Sequence, residues 1–206
     1  ITLGNSWTPS VSGGSGTGAN TYVVVNGTAT GCVESGGVLT VTSAGSCTVT
    51  ATKALDTNYN AVSSSATTVS FAKANQSSLT LTSTSGTFNT GISFSASGGT
   101  GSGGYSFAVS DAGTAGCSLA MGPSLTSSSA GSCTVTVTRA GDNNYESRSS
   151  VATLVTFAKD TQNALTLRDN SGDLNTGIAL SVSGGSGSGA ISYSVTSGSA
   201  SCSDAR

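Results

Sequence analysis

Short runs in which apolar and small polar residues alternate recur along the chain, the period-two pattern of strands buried on one face. Thr134-Val135-Thr136-Val137-Thr138 sends its valines one way and its threonines the other, and Leu79-Thr80-Leu81-Thr82 repeats the arrangement. Between residues 76 and 161 the pattern predicts strands over 79–82, 92–97, 105–109, 117–119, 124–127, 133–139 and 151–157. Val, Ile and Thr suit a pleated, half-buried surface. No stretch carries a capped apolar stripe at helical spacing. Seven short strands cannot hide their apolar faces in one flat sheet, so the expectation is an all-β sandwich of two sheets.

The pattern also repeats. Phe71-Ala72-Lys73 returns as Phe157-Ala158-Lys159, an offset of 86, and Gln76 returns as Gln162. Ala44-Gly45-Ser46-Cys47-Thr48-Val49-Thr50 returns as residues 130–136, and Asp56, Asn58 and Tyr59 return as Asp142, Asn144 and Tyr145. A GGxGxG motif occurs within 12–18, 97–103 and 183–189. Self-similarity at a fixed period is the signature of a tandem array. The expected units are residues 1–75, a repeat lacking its first strand; 76–161, a complete repeat; and 162–206, the first half of a third. On this phase both ends fall inside repeats, as in a fragment of a longer protein.

Composition changes the picture in two ways. The chain holds 29 glycines, 41 serines and 31 threonines among 206 residues, which read alone is linker composition. The 35% of hydrophobic residues, gathered in alternating runs, argue for a folded chain instead. The second change concerns chemistry. With no histidine, neither Ser-His-Asp nor Cys-His catalysis can be assembled. Seven Lys and Arg against nine Asp and Glu give no footprint for nucleic acid. No apolar run approaches the length of a membrane-spanning helix.

The five cysteines follow the repeat. Cys32 and Cys47 are 15 apart, Cys117 and Cys133 are 16 apart, and Cys202 matches Cys117. One pair per repeat predicts Cys32–Cys47 and Cys117–Cys133 disulfides, with Cys202 unpaired by truncation. Buried free thiols are the rival reading. Disulfides would point to an oxidising, extracellular setting.

Together the GGxGxG loop, the Ala-Gly-Ser-Cys-Thr-Val-Thr strand, the Asp-x-Asn-Tyr turn and the Phe-Ala-Lys linker resemble bacterial immunoglobulin-like repeats. The resemblance runs through nearly the whole chain. It implies tandem immunoglobulin-like β-sandwiches of about 86 residues, each with one disulfide, in a long secreted or surface-anchored protein such as an adhesin. The first repeat departs from the pattern. Trp7 and Pro9 stand where the second has Ile92 and Phe94, which predicts irregular packing or an interface near the N-terminus.

The same residues offer several candidate sites. A glycine loop that cradles phosphate needs a helix behind it, and usually a lysine. Here a strand follows, so the expectation is a flexible turn with glycines at positive φ. Asp56, Asn58 and Tyr59, with Asp142, Asn144 and Tyr145, could offer oxygens to calcium, yet calcium wants six to eight oxygens, usually from several carboxylates. The preferred reading is a structural turn in which Asp and Asn bond the backbone while Tyr packs back onto the sandwich. The acids are scattered, which disfavours a two-carboxylate hydrolase. No partners for an isopeptide bond from Lys73 or Lys159 can be named. Ranked threonines on 134–138 fit an ice-binding face less well than an ordinary exposed sheet, and sequons at Asn26 and Asn75 leave glycosylation open.

The expected function is a non-enzymatic extracellular spacer or stalk, with no metal or cofactor. Its partners would be neighbouring repeats, and a glycan or host-surface ligand has no support in the residues. A filament, sheath or surface-layer subunit whose strands are completed by a neighbour is the first alternative. A carbohydrate-binding module is the second.

Overall fold

The computed structural model describes residues 1–168, 171–174 and 176–196. Every regular element among them is a strand, so the protein is all-β. By contacts the chain divides into two compact units, Ile1–Lys159 and Asp160–Arg206. The first unit holds two separate hydrophobic cores. Cys202 lies outside the described residues.

Six strands surround the first core: β1 (Asn20–Asn26), β2 (Val33–Ser35), β3 (Val38–Thr40), β4 (Gly45–Lys53), β5 (Val62–Ser63) and β6 (Thr67–Phe71). Strand β4 is central. Its alternation of half-buried threonines with buried Cys47 and Val49 turns one face inward. It pairs antiparallel with β1 from Asn20↔Lys53 to Asn26↔Cys47, and with β6 and β5 along its other edge. The β2–β3 hairpin is extended by an antiparallel bridge between Trp7 and Leu39. Ala29, Leu39, Cys47, Val49, Val69 and Phe71 form the core, with Trp7, Tyr22 and Val24 packed against it.

Around the second core run β7 (Leu79–Leu81), β8 (Ser85–Thr87), β9 (Ile92–Ser93), β10 (Ala96–Gly98), β11 (Tyr105–Asp111) and β12 (Ser118–Leu119). They are followed by β13 (Ser124–Thr126), β14 (Gly131–Arg139), β15 (Arg148–Ser149) and β16 (Thr153–Ala158). Strand β14 takes the place of β4, with β11 on one edge and β16 and β15 on the other. Strand β8 adds to β16 in parallel. Facing this sheet are the three strands β12-β13-β9 and the pair β10-β7. Leu81, Ile92, Phe94, Leu125, Val135, Val155 and Phe157 are buried between the layers, consistent with a β-sandwich. Fully burying each such side chain contributes about 1.5–3 kcal/mol.

The structure redraws one expected strand. Residues 92–97 are not a single strand: β9 pairs with β13, β10 pairs with β7, and the chain changes partner between them. Phe94 makes the switch. Its side chain is buried, and its N–H donates to the Pro123 carbonyl at 2.7 Å. The change of partner lets one segment serve two sheet pieces at a corner of the sandwich.

The second unit contains an antiparallel pair, β17 (Leu165–Arg168) and β18 (Ser181–Gly184), in register from Leu165↔Gly184 to Arg168↔Ser181.

Candidate functional site

The residues singled out by sequence converge on one structure, a carboxylate that clasps a glycine loop. Gly98 and Gly99 adopt φ of +91° and +73°, a region that side chains resist. Gly101 and Gly103 do a different job. A methyl group at Gly103 would overlap the Ala140 carbonyl oxygen, and one at Gly101 would stand 2.6 Å from Asp142 Oδ2. The loop therefore lies flat against the 140–145 turn.

Asp142 holds it there. Its Oδ2 accepts the Ser102 N–H at 2.5 Å and the Ser102 hydroxyl at 3.0 Å. Its Oδ1 accepts the N–H groups of Asn144 and Tyr145 at 2.8 and 2.9 Å, closing the turn. Donation from the Ser102 N–H first and the Asn144 N–H next, with Tyr145 adding to it, lowers the Asp142 pKa to about 2 against the opposing effect of desolvation. The first core repeats the device. Asp56 accepts the Thr17 N–H and hydroxyl at 2.6 and 3.2 Å, and the N–H groups of Asn58 and Tyr59 at 2.9 Å each. The Thr17 N–H leads in lowering its pKa. Four protein donors occupy each carboxylate, with Oδ2 committed to the glycine loop and Oδ1 to the turn.

The second turn also joins the two cores. The Asn144 carbonyl accepts the Ala74 N–H at 2.9 Å, and the Glu146 N–H donates to the Ala74 carbonyl at 2.9 Å. This is a parallel bridge between Ala74 and Tyr145. The Asn144 side chain reaches further, where its Oδ1 accepts the Ala44 N–H at 3.1 Å, beside β4 of the first core. One asparagine thus binds both the connecting segment and the preceding sheet.

Gln76 completes the joint. It is 1% exposed, the one buried polar residue of the described chain. Its Nε2 donates to the carbonyls of Glu146 and Ala140 at 2.9 and 3.0 Å, and its Oε1 accepts the Gly101 N–H at 3.4 Å. The Arg148 Nη1 donates to the Gln76 carbonyl at 2.6 Å. Arg139 spans the loop, donating to the Gly98 carbonyl at 2.8 Å, to the Tyr105 hydroxyl at 2.9 Å and to the Gly101 carbonyl, with its guanidinium 4.9 Å from the Tyr105 ring centre. Sequence reasoning used Gln76 only as a mark of the repeat. The usable signal was that the chain has two glutamines, 76 and 162, at matching positions.

Disulfide bonds join Cys32 to Cys47 and Cys117 to Cys133. Each ties the central strand, β4 or β14, to the segment that follows β1 or β11. Among the described residues no helix is long and apolar enough to cross a membrane. The disulfides are compatible with a secreted or extracellular protein. Tyr59 is half exposed and Tyr145 more covered, each backing its glycine loop at Gly16 and Gly101. Trp7 is half-buried on the first core, its N–H and carbonyl both bonded to Leu39. Asn26 Oδ1 accepts the Cys32 N–H at 2.9 Å.

No protein-family model matches the chain, and no curated protein matches it significantly.

Proposed function

We propose that the chain is an extracellular array of immunoglobulin-like modules, of about 86-residue period, that serves as a spacer or stalk within a larger surface protein. The observation that carries this reading is the joint at Ala74, Asn144 and Ala44. There Asn144 and Glu146, from the turn of the second module, spend hydrogen bonds on the connecting segment and on the module before it. Such a joint transmits load and orientation along a chain. The disulfides support an oxidising setting, and they tie each central strand covalently to the segment that follows its neighbouring strand. The acids with lowered pKa are consumed by backbone clasps, which fits a mechanical part.

Limited proteolysis tests the reading. An extracellular stalk resists a broad-specificity protease when oxidised and is cut rapidly after reduction, first between Cys32 and Cys47 or between Cys117 and Cys133. Equal digestion with and without reductant would remove the disulfide-clipped stalk from consideration.

An assembling subunit is the second reading. What favours it is β17, whose Leu165 and Leu167 are 56% and 52% exposed, an unusual state for the alternate leucines of a strand.

A further inference from the structure

One sheet edge of the first core differs from its counterpart in the second. Strand β1 lies at the end of its sheet and pairs only with β4, and β11 holds the same end position beside β14. The open edge thus occurs in both cores. Edge strands offer unpaired N–H and C=O groups to other chains, and proteins blunt them with bulges and charges. Strand β11 carries both devices. Its register shifts between Val109 and Asp111, and the bulge leaves Asp111 opposite Thr134. Strand β1 carries neither. Its register runs unbroken from Asn20↔Lys53 to Asn26↔Cys47, and Asn-Thr-Tyr-Val-Val-Val-Asn has no charge, proline or glycine.

The side chains of β1 divide between two faces. Tyr22 and Val24 pack on the core, while Val23 and Val25 are 61% and 58% exposed on the outer face. Val23 lies opposite Thr50 and Val25 opposite Thr48. In the second core Ala108 and Asp111 hold these places, opposite Thr136 and Thr134. The backbone divides as well. The Gly27 N–H donates to the Ser46 carbonyl and the Ala54 N–H to the Ala19 carbonyl, so the odd-numbered residues from 19 to 27 turn their backbone groups toward β4. Asn20, Tyr22, Val24 and Asn26 turn theirs to the open side, where no strand pairs among the described residues.

The strand is also nearly a palindrome about Val23: Asn20 answers Asn26, Thr21 answers Val25, and Tyr22 answers Val24. We propose that this edge is a self-association site. Its occupant is β1 of a second copy of the chain, antiparallel, with the twofold axis at Val23. Tyr22 then faces Val24 of the second copy and Asn20 faces Asn26, so each outward N–H and C=O of these residues meets a partner. Val23 faces itself in a non-hydrogen-bonded pair, where side chains come closest. Together with Val25 of each copy it makes one apolar strip across the joined sheets. Identical surfaces that meet usually suffer from like charges facing each other, and an uncharged strand avoids this. Twofold pairing closes on itself, so the product is a dimer and not a fibre. The site depends on the first core alone and stands whether or not the array acts as a stalk.

Sedimentation equilibrium of the full, oxidised chain tests this. The parent should show a concentration-dependent equilibrium of monomer and dimer. Val23→Lys, at an exposed position, should keep nearly the parent's melting temperature and weaken dimerisation about tenfold or more, because two like charges then face each other across the axis. Ala108→Lys, the matching change on β11, should leave the dimer as it is. Val23→Cys should give a covalent dimer on mild oxidation, mapped by mass spectrometry to position 23 of both copies. Opposed Cα atoms of such a pair lie about 4.5 Å apart, within the reach of a disulfide. A chain that stays monomeric at millimolar concentration would overturn the proposal. So would a dimer that is insensitive to Val23→Lys, or equally sensitive to Ala108→Lys. A dimer dissolved by Leu165→Asp with Leu167→Asp and not by Val23→Lys would assign the contact to β17 and overturn it likewise.

Discussion

Asp142 shows how one side chain fixes a whole loop. Its folded pKa of about 2 lies below the ordinary 3.8, because four N–H and O–H donors favour the charged form. A carboxylate depressed in this way contributes its full stabilisation above about pH 4 and loses it as pH falls through about 2. Asp56 is lowered by the same cause and acts in the same direction. The melting temperature should therefore fall steeply between pH 4 and pH 2. Asp142→Asn should melt lower than the parent at pH 7 and fall less on acidification, since its amide would face the Ser102 N–H with a second donor. Calorimetry over that range decides it. Gln76→Ala should cost about 1–3 kcal/mol by leaving the Ala140 and Glu146 carbonyls without their buried donor. Urea unfolding measures that loss.

Strands differ in how plainly they declare themselves. Strand β14 was legible because Val135 and Val137 alternate with threonines and both end fully buried. Strand β8 was not: Ser85-Gly86-Thr87 has no apolar residue, and it forms because a glycine lets Ile92 and Phe157 pack against bare backbone. The break between β9 and β10 was hidden for a related reason. Residues 92–97 alternate without a flaw, and only the tertiary partners of Phe94 divide them. At the candidate site, the Asp-x-Asn-Tyr turn was readable from local chemistry. The reach of Asn144 to Ala44 was not, since a contact across 100 residues leaves no local pattern. Leu125→Ala, at a site with no exposure, should destabilise by about 2–5 kcal/mol. Replacing Cys117 and Cys133 together with alanine should cost about 3 kcal/mol, as expected for releasing a loop of this length. Both values follow from chemical denaturation.

On the scale of the whole molecule, abundant Gly, Ser and Thr serve packed β-structure. Glycines such as Gly18, Gly98, Gly103 and Gly113 sit where backbone touches backbone, and threonines cover the outer face of β14 while its valines fill the core. The Ala74–Asn144–Ala44 contacts couple the two cores of the first unit. Asn144→Ala should broaden their common melting transition or split it in two, with a loss of about 0.5–1.5 kcal/mol from the missing side-chain bond. The central claim is mechanical, and pulling the full chain by its ends in a single-molecule force experiment tests it most directly. The account predicts discrete unfolding steps under oxidising conditions. Each disulfide-containing step should lengthen by about 50 Å after reduction, as the residues between the paired cysteines are released at about 3.4 Å each. Extension without discrete steps, or steps unchanged by reductant, would contradict it.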